Sequence, residues 1–262
     1  MNFFFGISSS EFQCNITVPK FDNYLSKKNN NIEIFKATPI KSTWLIEKLK
    51  CNSNSSFFFI DNDQINNNSI FFLATDLEVS RLKKNHIPFL QKLNTFTDTK
   101  PSAYRANLKI FIQNGGSSSY QSEYPFSMTQ KNGNVISPIS ILLNKEAEKN
   151  LIFFKNIYQS PIQEIFNGYL IDIKKKKIVK KFLLKTNFTN KIEIDKEFLL
   201  DEIYFFSEKI IGIPLYVSIK NNHLSFEHTH PLHHYILSEN NFKIVSNLKN
   251  NIKKILYHDK NL

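Results

Sequence analysis

Beyond residue 101 the apolar side chains recur with a period of two. That alternation restricts the fold more than any other feature of the chain. Tyr104, Ala106, Leu108, Ile110 and Ile112 alternate with Arg105, Asn107, Lys109, Phe111 and Gln113, the pattern of a half-buried strand. Short apolar runs follow at 151–158, 168–173, 178–184, 191–195 and 203–206, separated by spacers with Pro, Asn or Lys. The lysine run 174–177 falls between two of them and predicts an exposed hairpin turn. Strands at this spacing predict an antiparallel β-sandwich or a jelly-roll-like barrel.

The first hundred residues read differently. Ser42 predicts a cap for a short helix at 44–50. The apolar runs 57–60 and 70–74 predict two strands joined by the polar, Asn-rich loop 61–69 as a long hairpin. Thr75 with Glu78 three residues on is a capping box, opening a helix that would run to about His86 and stop before Pro88. Near the C-terminus, Phe242, Val245, Leu248, Ile252, Ile255 and Leu256 recur at helical spacing. The chain is therefore read as α+β and predominantly β. It divides into a small mixed α/β region (1–99), an antiparallel sandwich or barrel (100–239), and an amphipathic helix packed on the body (240–262).

Charge narrows the function classes. Lys and Arg number 34 against 23 Asp and Glu, a net +11, yet only Arg81 and Arg105 are arginines. Specific nucleic-acid readers rely on the bidentate guanidinium, so specific nucleic acid is not an expected partner. Non-specific attraction of the lysines to a polyanion remains a weaker third reading, with a steep salt dependence as its mark. Cys14 and Cys51 lie far apart, with neither metal spacing nor the density of a disulfide scaffold. No apolar run reaches the ~20 residues of a transmembrane helix. The apolar start of the chain lacks a basic n-region, and the expectation is a soluble, cytoplasmic protein.

One hairpin carries the principal candidate site. Ile213, Leu215, Val217 and Ile219 alternate with Pro214, Tyr216, Ser218 and Lys220; Asn221-Asn222 follow, then His223 to His230. Asn tolerates positive φ, so the pair predicts a two-residue type I′ turn. Lys220 then pairs with His223, Ile219 with Leu224, Val217 with Phe226, Leu215 with His228 and Ile213 with His230. This register puts His228 and His230 on the apolar face and turns Glu227, His223, Tyr216 and Lys220 outward. A buried imidazole without a partner costs ~1–3 kcal/mol. A divalent metal such as Zn, Fe or Mn would satisfy both rings, with His234 or His233 returning after Pro231 as third ligand. Glu123 and Glu208 are the acidic candidates. Hydrogen bonding at a sheet rim would satisfy the rings equally.

The segment 115–128, which begins Gly-Gly-Ser-Ser-Ser-Tyr, follows a strand and is rich in donors and aromatics. Read as a loop, it makes Ser119, Tyr120, Gln121, Glu123 and Tyr124 candidate contacts for a small molecule or carbohydrate. It lacks the Gly-Lys-Ser/Thr ending of a phosphate loop, and no nucleophile elbow occurs in the chain. Two functions fit these features. One is an enzyme whose site joins the 228–230 strand, the turn after Pro231 and the 119–123 segment, with a metal as Lewis acid where one is bound. The other is a non-catalytic module that binds a carbohydrate or a protein through Tyr120, Tyr124 and Tyr216, its histidines structural.

Overall fold

Aromatic and β-branched runs make almost every regular element a strand. The structure is a computed structural model that describes residues 2–20, 31–82, 85–93, 105–200, 202–229, 231–234 and 236–259. The first sheet contains β3 (Ile32–Ile40), β4 (Thr43–Lys48), β7 (Ile70–Thr75) and β8 (His86–Ile87), in the order β7-β3-β4-β8. The second contains β2 (Gln13–Pro19), β5 (Asn52–Ser53), β6 (Phe57–Ile60), β9 (Ala106–Phe111) and β10 (Ser117–Ser122), in the order β10-β9-β2-β6-β5. The third contains β13 (Lys149–Lys155), β16 (Thr189–Glu193), β18 (Ile213–Lys220) and β19 (His223–His228), in the order β16-β13-β18-β19. The fourth contains β12 (Val135–Pro138), β14 (Ile165–Asp172), β15 (Lys177–Lys185) and β17 (Ile203–Ser207), in the order β12-β17-β14-β15. A two-stranded ribbon pairs β1 (Asn2–Phe3) with β11 (Tyr124–Pro125). Among the described residues the α-helices are α1 (Asp76–Ser80) and α2 (Asn241–Asp259).

The four larger antiparallel sheets are arranged as a four-bladed β-propeller. The expected β-sandwich or jelly-roll barrel is not the fold, and packing gives the reason. A sandwich shares one core between two sheets and leaves an outer face of each to water. Here the central strands of the third sheet, β13 and β18, are buried on both faces. Phe153, Leu215 and Val217 join the core of the first two sheets, while Ile152, Phe154 and Tyr216 join a separate core with Leu170 and Phe205 of the fourth. A third cluster sets Tyr169, Ile171 and Phe206 of the fourth sheet under Ile252, Ile255 and Leu256 of α2. The blades are not plain meanders either, because the chain repeatedly leaves one sheet for another. β9 and β10, beyond residue 100, join β2 and β6 in one sheet.

Three local expectations are corrected. The segment 44–50 is not a helix: Trp44 and Ile46 are buried between less buried neighbours, a period of two, and β4 pairs with β3 and β8. The runs at 57–60 and 70–74 are strands but not a hairpin. β6 pairs with β2 and β5, whereas β7 pairs with β3 in a different sheet. The capping box at Thr75 forms, with Thr75 N–H donating to Glu78 Oε2 at 2.9 Å and Glu78 N–H donating to Thr75 Oγ1 at 3.2 Å. Its helix ends at Ser80, and His86 instead begins β8.

The hairpin at Asn221-Asn222 has the geometry its residues imply. Both take positive φ, 49° and 60°, and β18 pairs with β19 from Lys220–His223 through Leu215–His228. The expected outward position of Tyr216 is corrected: it is fully buried, its hydroxyl hydrogen-bonded to Ser137 Oγ, because this face also has a sheet packed on it.

Candidate functional site

Two hairpin tips meet and set the walls of a cleft. Gly116 N–H donates to the Asn222 carbonyl at 2.8 Å, which docks the β9–β10 turn on the β18–β19 turn. A Cβ on Gly115 would come well under 3.0 Å from the Asn222 carbonyl oxygen, so only glycine allows this approach. The contact brings the edge strands β10 and β19 side by side. The cleft has a volume of about 920 Å³, and the turn at 231–233 together with Val245 and Lys249 of α2 closes its far side.

Tyr120 lies between the two strands. Its ring is 5.9 Å from that of Phe226, edge to face, and 4.5 Å from that of His228, tilted by 53°. Burial, reinforced by Glu123 and opposed by Arg105, pushes its hydroxyl up to about 12. It therefore remains a protonated donor at neutral pH. Beside it Arg105, just before β9, reaches across to β10 and its end. Nη1 donates to Gln121 Oε1 at 2.7 Å, and Nε lies 3.4 Å from Glu123 Oε2. An ion pair this exposed contributes at most ~1 kcal/mol to stability. Its consequence is orientation: the guanidinium holds an amide and a carboxylate at the cleft wall.

The sequence-derived candidates do not share one location. Ser119, Tyr120, Gln121, Glu123 and His228 all line the cleft. The 117–122 segment is a strand rather than a loop, because β9 turns back on itself and pairs with it. Tyr124, expected at the ligand surface, is a core residue. It is fully buried and its hydroxyl donates to the Ile211 carbonyl at 3.0 Å. His230 lies outside the described residues. His233 lines the cleft and stacks on Phe242 at 4.6 Å, while the exposed His234 ring sits 4.4 Å from that of His233. Glu208 accepts from the Tyr169 hydroxyl at 3.3 Å in the fourth sheet and does not line the cleft. No group of three His, Cys, Asp or Glu among the described residues could hold a metal ion.

Sequence reasoning missed Arg105, Glu227 and Lys249 as cleft residues. Alternation turned Glu227 away from His228, but β19 is an edge strand, and side chains of both its faces border the opening. The scarcity of arginine was the one available signal for Arg105.

No family model, no curated protein and no solved structure matches this chain. Among the described residues, no helix is long and apolar enough to cross a membrane. What fold and site define is a four-bladed β-propeller with a mixed aromatic and polar cleft where two of its sheet edges meet.

Proposed function

We propose that this cleft binds a neutral, polyhydroxylated small molecule of the saccharide class. The carrying observation is its charge balance. In a chain of net +11, the cleft is lined by two cations, Arg105 and Lys249, against two carboxylates, Glu123 and Glu227. A phosphate or acidic ligand would favour uncompensated cations. A sugar instead uses donors and acceptors in fixed directions beside an apolar platform, and Arg105, Gln121 and Glu123 beside Tyr120 and Phe226 supply that combination.

Screening on a glycan array followed by calorimetric titration of the best glycan tests the reading. Gln121 is exposed and tolerates truncation, so Gln121→Ala and Glu123→Gln should each weaken binding about tenfold without lowering thermal stability. Absence of saturable glycan binding, or binding indifferent to both variants, would reject it. A second reading, hydrolysis of the bound sugar, is favoured by Glu123 and Glu227 bordering the same cleft, since glycoside hydrolysis uses paired carboxylates. Release of nitrophenol from aryl glycosides, abolished in Glu227→Gln, would support it. Binding without turnover would leave the protein a binding module.

A further inference from the structure

The helix α2 covers only part of the outer face of the fourth sheet. Tyr169, Ile171 and Phe206 lie beneath it, and the charge of Asp259, in its last turn, reaches the Tyr169 hydroxyl. Further along β14 and β15 the same face is open. The register pairs Ile165 with Lys185, Asn167 with Leu183 and Tyr169 with Lys181, which places all six on one side of the sheet. Of these, Ile165 is 66% exposed and Leu183 is 72% exposed. Ile162, at 54%, adjoins them on the loop into β14, where its carbonyl accepts from Thr186 Oγ1 at 3.4 Å. Aliphatic side chains gathered and exposed to this degree mark an interaction surface.

The strand β15 is also an edge, with no strand paired on its outer side; at its end the Lys185 N–H and carbonyl are taken by the side chains of Asn190 and Asn156, so a further strand would add along 177–184. Charge selects the occupant. Lys181 and Lys185 flank Leu183 on this face without an ion-pair partner among the described residues, whereas Lys180 is held by Asp195 at 3.0 Å. A second copy pairing edge to edge would set lysine against lysine, and like-charge juxtaposition excludes wrong partners. Carboxylates would meet the row favourably.

We propose that the β15 edge and its outer face dock an extended, acidic, amphipathic segment of a partner protein. The segment adds as a strand to β15 and lays alternate apolar side chains on Ile165 and Leu183. This surface is independent of the cleft between β10 and β19.

The probe is a short fluorescent peptide of alternating Glu and Leu, measured by anisotropy at about 0.15 M salt to limit non-specific attraction. An all-Glu peptide of equal length serves as control. The Glu-Leu peptide should bind, and Leu183→Asn should weaken it at least tenfold; the site is exposed, so the fold should not change. Lys181→Glu with Lys185→Glu should weaken it similarly, and amide exchange along β15 should slow in the complex. Three results overturn the proposal: no binding of the Glu-Leu peptide, equal binding of both peptides with no effect of Leu183→Asn, or a dimer in sedimentation that Leu183→Asn dissociates.

Discussion

Lys155 is an amine buried with no carboxylate partner among the described residues. It is fully buried, its Nζ donates to the carbonyls of Asn67 at 3.2 Å and Ser69 at 3.3 Å, and the Phe5 ring lies 5.8 Å away. Burial lowers its pKa from 10.5 to about 7. The unfolded chain therefore holds a proton that the folded one releases between those values, and stability rises with pH across that window. The gain should be roughly 3 kcal/mol between about pH 7 and about pH 9.5, absent in Lys155→Met. Urea midpoints of both proteins at the two pH values measure it, and parallel slopes would refute it. Nothing at the sequence level distinguished Lys155 from other lysines flanking apolar runs, since its burial depends on a loop 86 residues earlier in the chain. Tyr120 and Tyr124 pose the same problem: in sequence both read as loop aromatics, and only the strand pairing separates cleft from core.

At the scale of elements, legibility followed turn chemistry. Asn221-Asn222 specified both a turn and a register, and the hairpin matches from Lys220–His223 through Leu215–His228. The neighbouring Gly115-Gly116 read as the end of a strand and the start of a candidate binding loop, whereas it is the contact that joins two hairpins. Gly115→Ala should cost about 1–3 kcal/mol through the clash with Asn222, and saccharide affinity should fall with it because the cleft walls move. Asn222→Ala, at φ 60°, should cost about 1–2 kcal/mol in chemical denaturation. The error at β4 had a physical source. Ser42 resembles a cap, but the alternation of Trp44 and Ile46 and the available partner strands outweigh that local preference.

For the whole molecule, the sequence disclosed a mostly β chain with a C-terminal helix but not the propeller, because alternation reports one buried face and is silent on a second. The halves are fastened by contacts between distant residues. Glu11 accepts from Ser9 and from Lys149 at 3.2 Å, and is ion-paired with Lys191. Although burial opposes it, hydrogen bonds from Lys191, Ser9 and Lys149 hold its carboxyl at about 2, below the ordinary 4.5. That contribution is complete above pH 4.5 and disappears as pH falls toward 2. Glu11→Gln should cost about 1 kcal/mol at neutral pH and nothing in strong acid, read as converging denaturation midpoints.

The strand order also has a kinetic consequence. Cys14 sits opposite Ile110, so the second sheet cannot close until nearly a hundred further residues have left the ribosome. Until then, the Phe-rich early strands wait with their edges bare. Such a chain should mature late and slowly, dependent on holdase chaperones during synthesis.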